Sequence, residues 1–208
     1  MTEFELLAIP LSLILGLGIT NILSDVSDAI RDRDRVPLHW LPFAWASIIF
    51  MFLVQYFFVL WDYYVEGMAW KWQIFGPVLL NCVILYLSAG LILPGRRNSD
   101  SPSLLEDFEK HGRVALRTLA LYLIVAVFMN TYGWVMLNQA GESNGSVLIW
   151  SLLQVANIVC YLLIASIGMV LFSRNYRIQV LGTLFFALIQ LFGMIVIWSV
   201  PGGHTGFQ

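Results

Sequence analysis

Charged side chains are scarce in this sequence, and cysteine and histidine are scarcer still. Only 12% of the 208 residues are charged, whereas a soluble domain carries roughly a quarter. The formal net charge of −2 gives no excess of basic residues of the kind that a nucleic-acid-binding protein carries. The two cysteines, Cys82 and Cys160, stand inside apolar runs and form no metal-binding or redox spacing. We therefore predict no cofactor, no metal centre and no nucleic-acid partner.

Titratable side chains are also missing from the apolar runs that follow residue 40. These runs contain no carboxylate, histidine or lysine, which excludes a proton relay and a haem held by paired histidines. They also carry no HExxH or GxSxG motif, so nothing in them supplies a nucleophile with a base. The sequence does not favour an enzyme.

What the sequence has instead is long apolar runs. A helix needs about 20 apolar residues to cross the ~30 Å hydrocarbon core of a bilayer, and six runs meet this requirement. They are residues 4–23, 41–60, 74–93, 118–137, 147–172 and 178–198. The sequence predicts an all-α membrane protein whose single polytopic domain, residues 1–208, is a bundle of six transmembrane helices.

Basic residues and tryptophans predict the same orientation for these helices. Ten of the eleven lysines and arginines follow the first, third and fifth runs, and only Lys71 lies on the other side. Basic connections stay in the cytoplasm, and indole rings prefer the headgroup layers. Six tryptophans fall at the predicted outer ends and two at the inner ends. Both termini are therefore predicted to face outward.

The main polar segment between runs is the cytoplasmic connector 95–112. Ser103 and Glu106 have the spacing of a capping box, and Leu104, Leu105 and Phe108 would share one helical face. This pattern predicts a short interfacial helix on the cytoplasmic membrane surface. It serves either as a plain connector or as a docking site for a protein partner.

A polar stripe follows the first run and defines a predicted cytoplasmic mouth. Asn21, Asp25 and Asp28 recur at intervals of four and three, and His39 precedes the second run. The regular spacing predicts that the first helix extends beyond its span and stops before Pro37. Its polar face is either a solvated helix end or part of a small polar pocket. The same residues include oxygen and nitrogen ligands, but no spacing rule selects them for a metal. Gly16 and Gly18, within the first run, are predicted to allow close helix packing.

Side-chain amides form a second polar feature, which we call the outer amide belt. Its members lie roughly 7 to 15 Å inside the predicted outer ends of five helices. The belt comprises Gln55, Asn81, Asn130, Gln154, Asn157 and Gln190. An amide facing lipid is costly, so these groups either bond between helices or line a neutral polar cavity that binds a solute.

Three segments carry a resemblance to a known group of proteins. They are LGLGITNILSDVSDAIRDRDRVPLHWL at 15–41, VQYFFVLWDYY at 54–64 and LLEDFEKHGRVAL at 104–116. They resemble small bacterial six-helix inner-membrane proteins that have no assigned activity. The resemblance implies a bacterial inner-membrane location and the same number of helices, and it transfers no catalytic residue. In such a membrane, the termini that the basic residues predict to face outward would be periplasmic.

Two functions are compatible with these patterns. The first is a channel- or transporter-like membrane protein, working as a homo-oligomer in the bilayer, that passes or binds a small solute or ion. The alternative is a membrane sensor or subunit that transports nothing and docks a protein partner on its cytoplasmic face.

Overall fold

The computed structural model describes residues 3–34, 37–65, 72–93, 104–139, 146–173 and 175–199. Every regular element in these ranges is helical. The α-helices are α1 Glu3–Arg31, α2 Trp40–Val65, α3 Trp72–Leu91, α4 Leu104–Asp107, α5 Arg113–Gln139, α6 Ser146–Phe172 and α7 Tyr176–Ser199. A π-helical turn, Phe108–Gly112, joins α4 to α5.

The predicted apolar runs correspond closely to the long helices. Five of the six runs lie wholly within one helix, and the run 74–93 extends two residues beyond the end of α3. Helices α1, α2, α6 and α7, and α5 together with the turns before it, are long and apolar enough to cross a membrane. The apolar part of α3, Phe75–Leu91, is shorter. The prediction of an all-α chain with several helices long and apolar enough to span a membrane is confirmed, and a sixth span stays a prediction.

Helix α1 continues well beyond its predicted span. With 29 residues it is about 44 Å long, which exceeds the ~30 Å hydrocarbon core. The helix passes through Pro10 without interruption and ends at Arg31, before Pro37. The extension into the charged segment therefore agrees with the sequence pattern, and the last turns of α1 lie outside the predicted span.

The chain forms two compact units, Met1–Leu119 (unit 1) and Ala120–Gln208 (unit 2). In unit 1, α1 packs against α2 and α3, α2 packs against α3, and α4 packs against α2. Large side chains such as Leu15, Trp45 and Leu85 are fully buried there. In unit 2, α6 and α7 pack along each other, with Phe186 fully buried.

Large apolar side chains are also exposed along the outer faces of the helices. Leu188, Phe192 and Ile195 of α7 are 65%, 61% and 67% exposed. In water such an apolar face would favour aggregation, whereas in a bilayer it contacts acyl chains without exposing apolar surface to water. Together with the long apolar helices, these faces are what a multi-pass integral membrane protein presents to lipid.

The cytoplasmic connector is described only in its second part, where helical turns lead into α5. Residues 94–103, which include Ser103 of the predicted capping box, lie outside the described residues. From Leu104 onward, one α-helical turn and the π-helical turn run directly into α5. The interfacial position of this segment stays a prediction.

Candidate functional site

The inner half of α1 packs tightly on its neighbours at one glycine. A Cβ at Gly18 would lie 3.0 Å from Leu53 Cδ2 and 3.7 Å from Tyr86 Cα, so α1 approaches both α2 and α3 here. A Cβ at Gly16 would meet nothing within 4 Å. Close packing is therefore confirmed for Gly18 and was wrongly predicted for Gly16.

Asn21 belongs to the same interface, one turn further along α1. Its side chain is half-buried, and its Nδ2 lies 3.9 Å from the Cβ position of Gly90. Because Gly90 is in the last turn of α3, the Asn21 amide lies against that end of α3. The structure thus places this residue between two helices of unit 1.

Asp25 and Asp28 lie beyond the predicted span, on the extension of α1. Both residues are half-buried. Burial, followed by the neighbouring Asp28 carboxylate, raises the pKa of Asp25 from 3.8 to about 6. This pair of carboxylates forms the electrostatic feature of the predicted mouth, because Asp25 loses its proton only near pH 6.

His39 has a structural task at the start of α2. Its Nδ1 accepts a hydrogen bond from the backbone N–H of Leu41 at 3.3 Å, as an N-capping side chain does, and its ring stacks against Trp40. Nδ1 is therefore occupied and unavailable to a metal ion. Over the described parts of the chain, no group of three or more His, Cys, Asp or Glu side chains could hold a metal ion.

The belt amides of unit 1 lie on α2 and α3. Gln55 is half-buried, and Asn81 is only 2% exposed. Tyr56, which follows Gln55, donates a hydrogen bond to the backbone carbonyl of Val78 at 3.2 Å. This bond connects α2 to α3 close to Asn81. Both amides have interaction partners within the protein.

In unit 2, two belt amides meet. Asn130 Nδ2 of α5 donates to Asn157 Oδ1 of α6 at 3.4 Å, and both side chains are half-buried. Gln190 of α7 is buried and partnered. The side chain of Gln154 lies outside the described residues. The structure thus joins one described pair of the predicted belt directly, and the other described members also have partners.

Hydroxyl groups add interhelical polar contacts that the amide pattern misses. Ser88 Oγ of α3 donates to Thr118 Oγ1 of α5 at 2.8 Å, and both residues belong to unit 1. In unit 2, the buried Ser166 and Thr183 hydroxyls instead donate to Leu162 O and Gln179 O of their own helices. A single serine or threonine in the sequence does not predict an interhelical hydrogen bond, because its hydroxyl can also bond to its own helix.

The described part of the connector buries two apolar residues and one carboxylate. Leu104 and Phe108 are buried at 5% and 3% exposure. Lys110 pairs with Glu106 at 3.0 Å, and the His111 Nδ1 lies 3.0 Å from the buried Asp107 carboxylate. Two residues of the apolar face that the docking hypothesis uses are therefore covered by the protein itself, whereas Leu105 stays half-buried.

Comparison with protein-family models, with curated proteins and with solved structures finds no match to this chain. What the protein does is therefore inferred from its own residues. The chemistry that they offer is neutral and polar within the spans, and acidic at the end of α1.

Proposed function

We propose that the chain is a channel- or transporter-like integral membrane protein that binds and passes a small polar solute or ion. Its polar contacts within the bilayer are uncharged amides and hydroxyls. Such groups replace the hydration of a neutral solute or a hydrated ion without binding it so tightly that it cannot leave.

The observation that carries this proposal is the Asn130–Asn157 pair. One hydrogen bond of 3.4 Å uses a single donor and a single acceptor, although each amide offers two donors and an oxygen with two lone pairs. Both side chains remain half-buried, so the unused donors and acceptors are accessible to a small molecule. In a protein that otherwise exposes apolar side chains, this accessible pair is the best-supported contact for a solute.

The proposal is tested by flux into proteoliposomes that contain the purified full chain. Urea entry is followed by stopped-flow light scattering, and potassium entry by a fluorescent indicator. Asn130 and Asn157 are replaced together by Leu, because a single replacement would leave one amide without its partner. We expect the double variant to lose roughly tenfold or more of whichever flux the wild type shows, since each lost polar contact costs about 1–3 kcal/mol.

Thr131→Val is the matched control for this experiment. Thr131 follows Asn130 on α5, is exposed, and donates its hydroxyl to Val127 O of its own helix at 2.8 Å. Its replacement removes a polar group at the same depth and should leave flux unchanged. The proposal fails if wild-type vesicles match protein-free vesicles for both probes, or if the folded double variant matches the wild type.

A further inference from the structure

The turn between α6 and α7 carries the basic residues of unit 2. In the sequence 120–208 the only lysines or arginines are Arg174 and Arg177, and the only carboxylate is Glu142. Glu142 precedes the 27-residue helix α6, whereas both arginines follow it. Among the described residues, none of the ion pairs involves Arg177. Unit 2 therefore holds positive charge at this turn with no carboxylate near it in the sequence.

Side-chain hydrogen bonds give this turn a defined shape. Asn175 Oδ1 accepts from the backbone N–H of Arg177 at 3.1 Å, and Ser173 Oγ accepts from the backbone N–H of Asn175 at 3.1 Å. Gln179 Nε2 donates to Ser173 O at 3.2 Å, and the Gln179 side chain is 2% exposed. These bonds fix the backbone at Arg177, and the Arg177 residue itself is exposed.

An exposed apolar face of α7 follows Arg177 along the helix. Leu181, Leu184 and Leu188 follow Arg177 by four, seven and eleven residues, and they are 64%, 50% and 65% exposed. This spacing keeps all four residues on one side of the helix. The first leucine is about 6 Å below the arginine and the last about 17 Å. This side of α7 therefore combines a cation near the start of the helix with a long apolar surface after it.

Exposed aromatic residues flank the arginine at the same level. Phe172, at the end of α6, is 92% exposed, and Tyr176, at the start of α7, is 42% exposed. Tyrosine side chains are enriched at the headgroup layer of a membrane. Tyr176 therefore supports a position of Arg177 near the lipid phosphates, and Phe172 adds exposed apolar surface at the end of α6.

We propose that this turn is a binding site for an anionic phospholipid. The guanidinium of Arg177 binds the phosphate, because its planar donors match phosphate oxygens, and Arg174 adds a second positive charge nearby in the sequence. One acyl chain lies along the leucine face of α7. A soluble acidic partner would use the arginines but would leave the leucines uncovered. The site goes beyond solute passage and depends only on α6 and α7 crossing a bilayer.

The test measures lipid selectivity of the full chain in detergent. Native mass spectrometry counts bound phosphatidylglycerol and phosphatidylcholine after incubation with equal amounts of each lipid. We expect the wild type to retain phosphatidylglycerol preferentially and Arg177→Gln to lose about fivefold of that preference, the effect expected for one basic residue at a lipid surface. Arg31→Gln is the control, because Arg31 is also an exposed arginine at a helix end but lies among aspartates.

The position of the lipid is checked with a phosphatidylglycerol that carries a photoreactive group on one acyl chain. Cross-links should map to residues 181–188 in the wild type and decrease in Arg177→Gln. The proposal is overturned if the two lipids bind equally, if Arg31→Gln loses as much preference as Arg177→Gln, or if the cross-links fall elsewhere. Displacement of the lipid by inorganic phosphate alone would also overturn it, because the site would then recognise a free anion.

Discussion

Gly16 and Gly18 stand two residues apart on α1, and their surroundings differ completely. The side chain of Leu53 and the backbone of Tyr86 close over Gly18, whereas Gly16 faces open space. The sequence marks both glycines as small, and small residues permit close approach of helices in lipid. Which glycine is used depends on the rotation of α1 about its axis, and that rotation is set by the packing of α2 and α3.

This difference makes Gly18 sensitive to substitution and Gly16 tolerant of it. We expect Gly18→Val to lower the free energy of unfolding by about 1–3 kcal/mol, because the added methyl groups overpack the contact with Leu53. Gly16→Val introduces the same residue into the same helix without a neighbour to displace. The measurement is thermal unfolding in detergent, and equal midpoints for the two variants would contradict the assignment.

Asp25 illustrates a residue-scale property that responds to pH. Its folded-state pKa is raised from 3.8 to about 6, so the folded protein binds the proton more tightly than the unfolded chain does. Asp25 therefore costs no stability below about pH 4, and its cost grows as the pH rises towards 6. We expect Asp25→Asn to stabilise the protein at pH 7.5 by about 1 kcal/mol, a value reduced because the half-exposed group is screened by solvent.

Unfolding of this variant at pH 4 and at pH 7.5 checks the sign. The gain should be present at the higher pH and nearly absent at the lower one. Asp32→Asn serves as control, because Asp32 is exposed in the turn after α1 and its replacement should give no such pH-dependent gain. A gain that is larger at pH 4 would show that the burial of Asp25 has been assigned incorrectly.

At the scale of elements, the π-helical turn before α5 depends on one glycine. The ring of Phe108 covers Gly112 so closely that a Cβ there would lie 2.4 Å from Phe108 Cδ2. The sequence places an aromatic residue and a glycine four apart, which is compatible with an ordinary helix, an interfacial helix or a loop. In the structure Phe108 is buried, and its ring lies against Gly112 within the π-helical turn.

Gly112→Ala should therefore destabilise the protein by about 1–3 kcal/mol, since the new methyl group collides with a buried ring that cannot move freely. The cost should be smaller when Phe108 is also replaced by Leu, and a double-mutant cycle of unfolding free energies measures this coupling. Gly168→Ala is the control, because nothing lies within 4 Å of its Cβ position. Additive effects of the two changes would contradict the contact.

At the scale of the whole molecule, charge distribution predicts orientation. The positive-inside pattern places the connector 95–112 in the cytoplasm and both termini outside, and this topology stays a prediction, as do the bacterial inner-membrane location and the homo-oligomer. The chain is well suited to a labelling test. Both cysteines are free thiols within apolar helices, and their replacement by Ala gives a background without reactive thiols.

In that background, Thr2→Cys and Ser99→Cys place single thiols near the N-terminus and in the connector. We expect a membrane-impermeant maleimide added to intact cells to label the first thiol and not the second. Permeabilised cells, in which both thiols should react, provide the control. Labelling of Ser99→Cys alone in intact cells would reverse the topology and with it the positions of the belt and the mouth.

The sequence by itself determined that the chain is helical and where its long apolar helices lie. Composition and run length are enough for this, because a helix in lipid must satisfy its own backbone and needs about 20 apolar residues. It also identified the extension of α1 through the regular spacing of its polar residues. These are local properties of the chain, and each follows from neighbouring residues alone.

Only the tertiary structure decided which polar and small residues meet. It shows that Asn130 bonds to Asn157 and that His39 caps the start of α2. It also shows that neighbouring helices contact Gly18 but not Gly16. The physical reason is that all-apolar helices carry little information about which face turns inward, because lipid and protein interior are equally favourable for their side chains. The facing surfaces are then set by the fit of a few glycines, hydroxyls and amides, and that fit exists only once the helices are packed.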